Sequence, residues 1–178
     1  MTVIPRFPSA VPAPGFTLLE VLVVLVLVSI ITSFVLLSVG GGPQERLAEE
    51  AQRLAALIEL HQQEAILSGE PRGIRFVRTG YAVLSLDEKG EWRPPVASAT
   101  LIQHKVPEEI ALGLWVEGRP VDLRTAAARP QVVLLASGET TEFVTVFGLA
   151  DEANNRDAPL YRIAGDALGR LTVGMVTR

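Results

Sequence analysis

The chain contains no cysteine, which excludes disulfide frameworks, thiolate metal sites and cysteine nucleophiles. An exported domain built from it must hold together by packing alone. Histidine is nearly as scarce, with only His61 and His104 in 178 residues. Neither sits in a Ser-His-Asp pattern, and no Gly-x-Ser-x-Gly elbow occurs. Gly40-Gly41-Gly42 lacks the Lys-Ser/Thr that would make it a phosphate loop. Lys89 and Lys105 are the only lysines, and the formal net charge is −4. A weakly acidic chain has no global attraction for nucleic acid or anionic lipid. Catalytic, cofactor-binding and metal-ligating sets are therefore not expected, and the chain reads as a non-enzyme.

Apolar residues, by contrast, are abundant at 48 %, and they are unevenly placed. Residues 1–15 carry Pro5, Pro8, Pro12 and Pro14, which forbid a regular helix. From Phe16 to Val39 the chain is almost continuously apolar. As a helix this stretch would span roughly 36 Å, enough for a bilayer core of about 30 Å. Its β-branched content would suit a strand in water, but in lipid the backbone must satisfy itself, so a helix is expected. A secretory signal places its apolar core before the cut; here the order is inverted. Glu20 interrupts the run. A carboxylate within an apolar span costs on the order of 3 kcal/mol at mid-depth and less near an end, so it calls for a positive partner. A cut before Phe16 would create a new α-amino group, and that of a neighbouring subunit is better placed than the chain's own.

Gly40-Gly41-Gly42-Pro43 reads as a joint, with Pro43 suited to a helix first turn. Over residues 44–68, Leu47, Ala51, Leu54, Ile58, His61 and Ala65 fall on one stripe at steps of four and three. Gly69 and Pro71 supply the stop. His61 is expected to be packed on that stripe. Residues 69–178 read as a strand-rich domain without internal repeats. Strands are expected at Ile74–Val77 and Tyr81–Leu86 about Thr79-Gly80, then at Leu101–Val106, Ile110–Val116, Val121–Leu123, Gln131–Ala136, Thr141–Phe147, Tyr161–Ala164 and Leu171–Val176. His104 is expected on an exposed strand face. The oxygen-rich stretch Asp151–Asp157 lacks EF-hand spacing and contains Arg156, so a solvated loop is expected rather than a Ca²⁺ site. Arg162, Arg170 and Arg178 gather near the C-terminus without aromatic interleaving and read as solvated cations.

Gly15-Phe16-Thr17-Leu18-Leu19-Glu20, joined to its apolar run, resembles the class III signal of type IV pilins and type II secretion pseudopilins. The resemblance implies that a prepilin peptidase cuts between Gly15 and Phe16 and methylates the new N-terminal Phe16. It also implies that Glu20 sets register with the adjacent subunit. Pro14 stands where leaders of the family usually carry Lys or Arg. The order of helix then sheet resembles pseudopilins over the whole length. The segments Leu114–Pro120, Ala136–Glu139 with Phe143, and Gly169–Val173 resemble the H-type minor pseudopilin, the GspH/FimT-like family. The expected fold is α+β and pilin-like: leader 1–15, transmembrane helix 16–39, joint 40–43, amphipathic helix 44–68, and periplasmic β-domain 69–178. The resemblance implies a structural subunit near the tip of a type II secretion pseudopilus, which supports export of folded proteins across the outer membrane. It implies a single inner-membrane span and, as partners, the peptidase, the major pseudopilin and I/J/K-type minor pseudopilins. A minor pilin of a type IV pilus is the alternative of the same class; many of these close their C-terminal region with a disulfide, and this chain cannot. A DNA-binding, competence-type pseudopilin is the third reading; the negative net charge weighs against it.

Overall fold

A computed structural model describes residues 17–38, 42–95, 103–125, 127–153, 155 and 157–177. It divides into two compact units, before and after Gly41–Gly42. Among its described residues the first holds one helix, α1 (Leu18–Ser38, 21 residues). Gly15 and Phe16 lie outside the described residues.

The second unit begins with α2 (Pro43–Ser68). Gly42 is its N-cap, and Pro43 occupies the first turn, where its missing N–H is no loss. Gly69 ends it in a left-handed conformation, φ 73°, and donates its N–H to the Ala65 carbonyl at 3.0 Å. Every residue of the expected stripe is buried: Leu47, Ala51, Leu54, Ile58, His61 and Ala65. Glu50 and Ala55 are buried with them.

Among the described residues ten strands follow: β1 (Arg72–Val77), β2 (Gly80–Leu86), β3 (Trp92–Arg93), β4 (Gln103–Lys105), β5 (Ile110–Val116), β6 (Arg119–Pro120), β7 (Val132–Leu134), β8 (Phe143–Leu149), β9 (Pro159–Gly165) and β10 (Leu171–Thr177). They form two antiparallel sheets. One runs β3-β2-β1-β7, with β4 also on β2; the other runs β10-β9-β8-β5-β6. α2 lies against β1 and β7 of the first sheet and β8, β9 and β10 of the second. Alternation along the strands sends Ile74 and Phe76, Phe143 and Phe147, and Leu114 and Ile163 into one core with Leu47, Leu54 and Ile58 of the helix. Burying each of these large side chains contributes about 1.5–3 kcal/mol.

Several expected strands shift. Val121–Leu123 is not a strand; β6 forms earlier, at Arg119–Pro120. Glu117 and Gly118 both have positive φ, 50° and 74°, so a two-residue turn of the primed kind reverses the chain at once and pairs Val116 with Arg119. Val121 still donates to the Leu114 carbonyl at 2.9 Å. The stretch 131–136 is regular only at Val132–Leu134. Gln131 instead clamps the Phe76 backbone, with Oε1 accepting from Phe76 N at 2.8 Å and Nε2 donating to Phe76 O at 3.0 Å. β8 starts at Phe143 rather than Thr141, because Thr140 and Thr141 are occupied in the neighbouring turns: Thr140 Oγ1 donates to Asp166 O at 2.8 Å, and Thr141 Oγ1 accepts from Val133 N at 3.1 Å.

Candidate processing and assembly site

α1 opens on a cap. Thr17 Oγ1 accepts from the Glu20 N–H at 3.2 Å, and the Thr17 carbonyl accepts from Glu20 N at 3.1 Å and Val21 N at 3.2 Å. The spacing Thr17-x-x-Glu20 is a capping-box pattern, legible in the sequence beside the processing motif. It places the Glu20 carboxylate in the first helical turn, where the helix dipole favours a negative charge by about 0.3–1 kcal/mol. Part of the charge's cost in an apolar segment is thus offset locally. The proposed cut between Gly15 and Phe16 would lie immediately before this capped turn.

Over its described side chains the helix beyond is apolar on every side and bare. Leu18 is 85 % exposed and Ile31 62 %. Such a surface needs lipid or other chains to cover it. Ser29 returns its hydroxyl to the Leu25 carbonyl at 2.8 Å, which removes one polar group from that surface. Side chains of α1 are described as far as Thr32, and over the described residues no helix is long and apolar enough to cross a membrane.

In the second unit two of the segments that carried the resemblance meet near the C-terminal end of α2. Gln62 Nε2 donates to the Gly138 carbonyl at 2.9 Å. Gly169, with φ 77°, lies so close that a Cβ there would collide with Gln62 Nε2 and Gly138 O. The Ala136–Glu139 and Gly169–Val173 segments therefore have a packing reason: two turns close on each other and on one helix side chain.

The histidines divide. His61 is buried as expected, with Nδ1 2.9 Å from Glu64 Oε2. His104 is not on an exposed face. Its Nε2 lies 2.8 Å from Oε2 of the buried Glu50, and its ring lies 5.3 Å from that of Tyr81. β4 pairs with β2 at Tyr81↔His104, which turns the imidazole toward α2. Burial pushes the Tyr81 hydroxyl well above its ordinary range; the Glu50 carboxylate adds to the rise and the Arg53 guanidinium opposes it. Glu50 and His104 thus form a polar tie between helix and sheet, with the Tyr81 ring packed beside the imidazole. In the 151–157 loop, Asn155 Oδ1 accepts from Asp157 N at 3.1 Å, and Asn154 and Arg156 lie outside the described residues. Among the described residues no three candidate ligands gather. Arg170 Nε donates to Asp166 Oδ2 at 2.8 Å, whereas Arg162 stands on β9 opposite Gly174 of β10. Arg178 lies outside the described residues.

An apolar helix opening on a capped turn, followed by a helix packed on antiparallel sheets, defines a pilin-like α+β fold. Residues 14–36 match the prokaryotic N-terminal methylation motif, and residues 50–169 match the family described as type II transport protein GspH. The type II secretion system protein H of Pseudomonas aeruginosa is 35 % identical over 140 residues, 72 % of this chain and 79 % of that one. That of Aeromonas hydrophila is 30 % identical, over 88 % of this chain and 91 % of its own. In fold, the chain is similar to the crystal structure of the minor pseudopilin EpsH from the type II secretion system of Vibrio cholerae, with TM-score 0.62, 22 % identity, and coverage of 74 % of this chain and 95 % of that one. The solution structure of Escherichia coli GspH gives TM-score 0.57 at 26 % identity, over 73 % and 88 % of the two chains. The chain belongs to the GspH family, and with it to the minor pseudopilins of type II secretion, a family of structural subunits.

Proposed function

We propose that a prepilin peptidase cuts this chain between Gly15 and Phe16, methylates Phe16, and so releases a subunit for the type II secretion pseudopilus. Residues 16–39 form a single inner-membrane span, 40–43 the joint, and 44–68 with 69–178 the periplasmic part. The subunit sits near the filament tip, between the major pseudopilin and the I/J/K-type minor pseudopilins, and acts as a structural part rather than an enzyme. The observation that carries this reading is the capped, exposed Glu20 at the head of a bare apolar helix. The carboxylate is free to meet the methylated amine of a neighbour, and the apolar surface behind it is available for other subunits' helices once the chain leaves lipid.

Glu20→Ala tests it. Processing at Gly15 should persist, because the glycine and the apolar run are intact, while incorporation into sheared pseudopili and exoprotein secretion should fall at least tenfold. Wild-type incorporation and secretion by the variant would overturn the role given to Glu20.

A further inference from the structure

The four sheet edges are not alike. The first sheet ends on β7, three residues long, and on β3 and β4, of two and three residues, which share one side of β2. The second sheet ends on one side at β6, two residues that include Pro120. Short strands and proline are the usual ways of blunting an edge against pairing. The other edge of the second sheet, β10, has none of these. It is seven residues long, Leu-Thr-Val-Gly-Met-Val-Thr, without proline or charge. Residues 172–175 are exposed, Val173 to 43 % and Met175 to 62 %, and no described strand lies beyond them.

The direction of its free groups follows from the hairpin. Asp166 N donates to Arg170 O at 3.1 Å. Alternation along an antiparallel ladder then points the N–H and C=O of Thr172, Gly174 and Val176 at β9, and those of Leu171, Val173, Met175 and Thr177 outward. We propose that β10 is the docking edge for a second copy of this chain, paired antiparallel about Gly174.

Self-complementarity selects that occupant. In this register Val173 faces Met175 of the other copy, and Leu171 faces its Thr177, so every outward N–H and C=O meets an outward partner. Gly174 faces Gly174 in a non-hydrogen-bonded pair. No charge opposes a like charge within the strand. The apolar side chains of Val173 and Met175, half bare in one copy, cover each other. Arg162 and its counterpart are held three strand spacings apart, about 14 Å, beyond the physiological Debye length of about 8 Å. The charge of Arg170 is taken up by Asp166. The contact is isologous, as a two-fold dimer requires. It does not depend on where the subunit sits in a filament.

The lack of native cysteine makes the test clean. A Cβ at position 174 meets nothing within 4 Å, and Cα atoms in a non-hydrogen-bonded pair stand about 4.5 Å apart, within disulfide reach. In the full-length chain in detergent, mildly oxidised Gly174→Cys should form a disulfide-linked dimer at least tenfold more than Thr172→Cys. The latter lies on the same strand face but about 13 Å from its own counterpart in this register. Adding Val173→Pro removes an outward N–H without touching the β9 ladder; it should return Gly174→Cys to the Thr172→Cys level with an unchanged circular dichroism spectrum. Equal cross-linking of the two cysteine variants, a monomer for both, or a dimer that survives Val173→Pro in a folded chain would overturn the proposal.

Discussion

Glu50 on α2 and His104 on β4 are joined at 2.8 Å, although fifty-four positions separate them in sequence. The Glu50 side chain is 10 % exposed and that of His104 23 %. The bond fastens the short β4, which β2 alone holds within its sheet, to the helix that organises the core.

Removing one partner should therefore cost more than a surface pair would. His104→Ala leaves a nearly buried carboxylate without its hydrogen bond and should destabilise the second unit by about 2 kcal/mol. Glu50→Gln keeps a polar partner and should lose about 1 kcal/mol. A double-mutant cycle of Glu50→Ala and His104→Ala, read by thermal unfolding, should give a coupling of about 1–2 kcal/mol. Additive losses would show that the contact carries no energy of its own.

Thr145 of β8 is fully buried, and among the described residues its hydroxyl has no hydrogen-bond partner; the same holds for the Tyr81 hydroxyl. An unsatisfied buried hydroxyl costs about 1–3 kcal/mol. Thr145→Val and Tyr81→Phe should thus be neutral or stabilising, by up to about 1 kcal/mol each. A clear loss of melting temperature in both would show that each hydroxyl has a partner, such as an ordered water.

The β9–β10 hairpin turns on Asp166. Its Oδ1 accepts from the N–H groups of Leu168 and Arg170 at 3.0 and 2.9 Å, and its Oδ2 from Arg170 Nε. These bonds, first among them that from the Arg170 amide, hold its carboxyl below the usual aspartate range. A carboxyl depressed in the folded state contributes stability that is present above its ordinary pKa of about 3.9 and is lost as pH falls through the folded value. Amide exchange at Leu168 and Arg170, measured as pH falls from 7, should therefore stay protected to below the ordinary aspartate range. Asp166→Asn should remove that acid dependence. Loss of protection already at pH 5 would contradict the assignment.

Much of this was legible in the sequence, because the signals were local. The stripe from Leu47 to Ala65 needs only helical periodicity, and β5 needs only a run of strand formers between Pro107 and Gly118. The environments of Glu50 and His104 were not legible. Glu50 sits in a Glu-Glu pair that reads as a solvated face, and only the register of β4 on β2 brings His104 beneath it. β6 was hidden for a related reason. Pro120 reads as punctuation after Gly118, yet the positive φ values at Glu117 and Gly118 make it the first returning strand. The division into two sheets, and the open edge it leaves at β10, follow from long-range pairing that no local pattern encodes.

At the membrane end the sequence motif and the capped turn point to the same place. If the proposed cut falls between Gly15 and Phe16, Thr17 and Glu20 would become the second and fifth residues of the processed chain. The most direct test is mass spectrometry of the N-terminal peptide of the membrane-purified protein, from cells with and without active prepilin peptidase. The account predicts a peptide that begins at Phe16 and carries one added methyl group, present only when the peptidase is active. An intact leader, or a cut anywhere else, in peptidase-competent cells would contradict it.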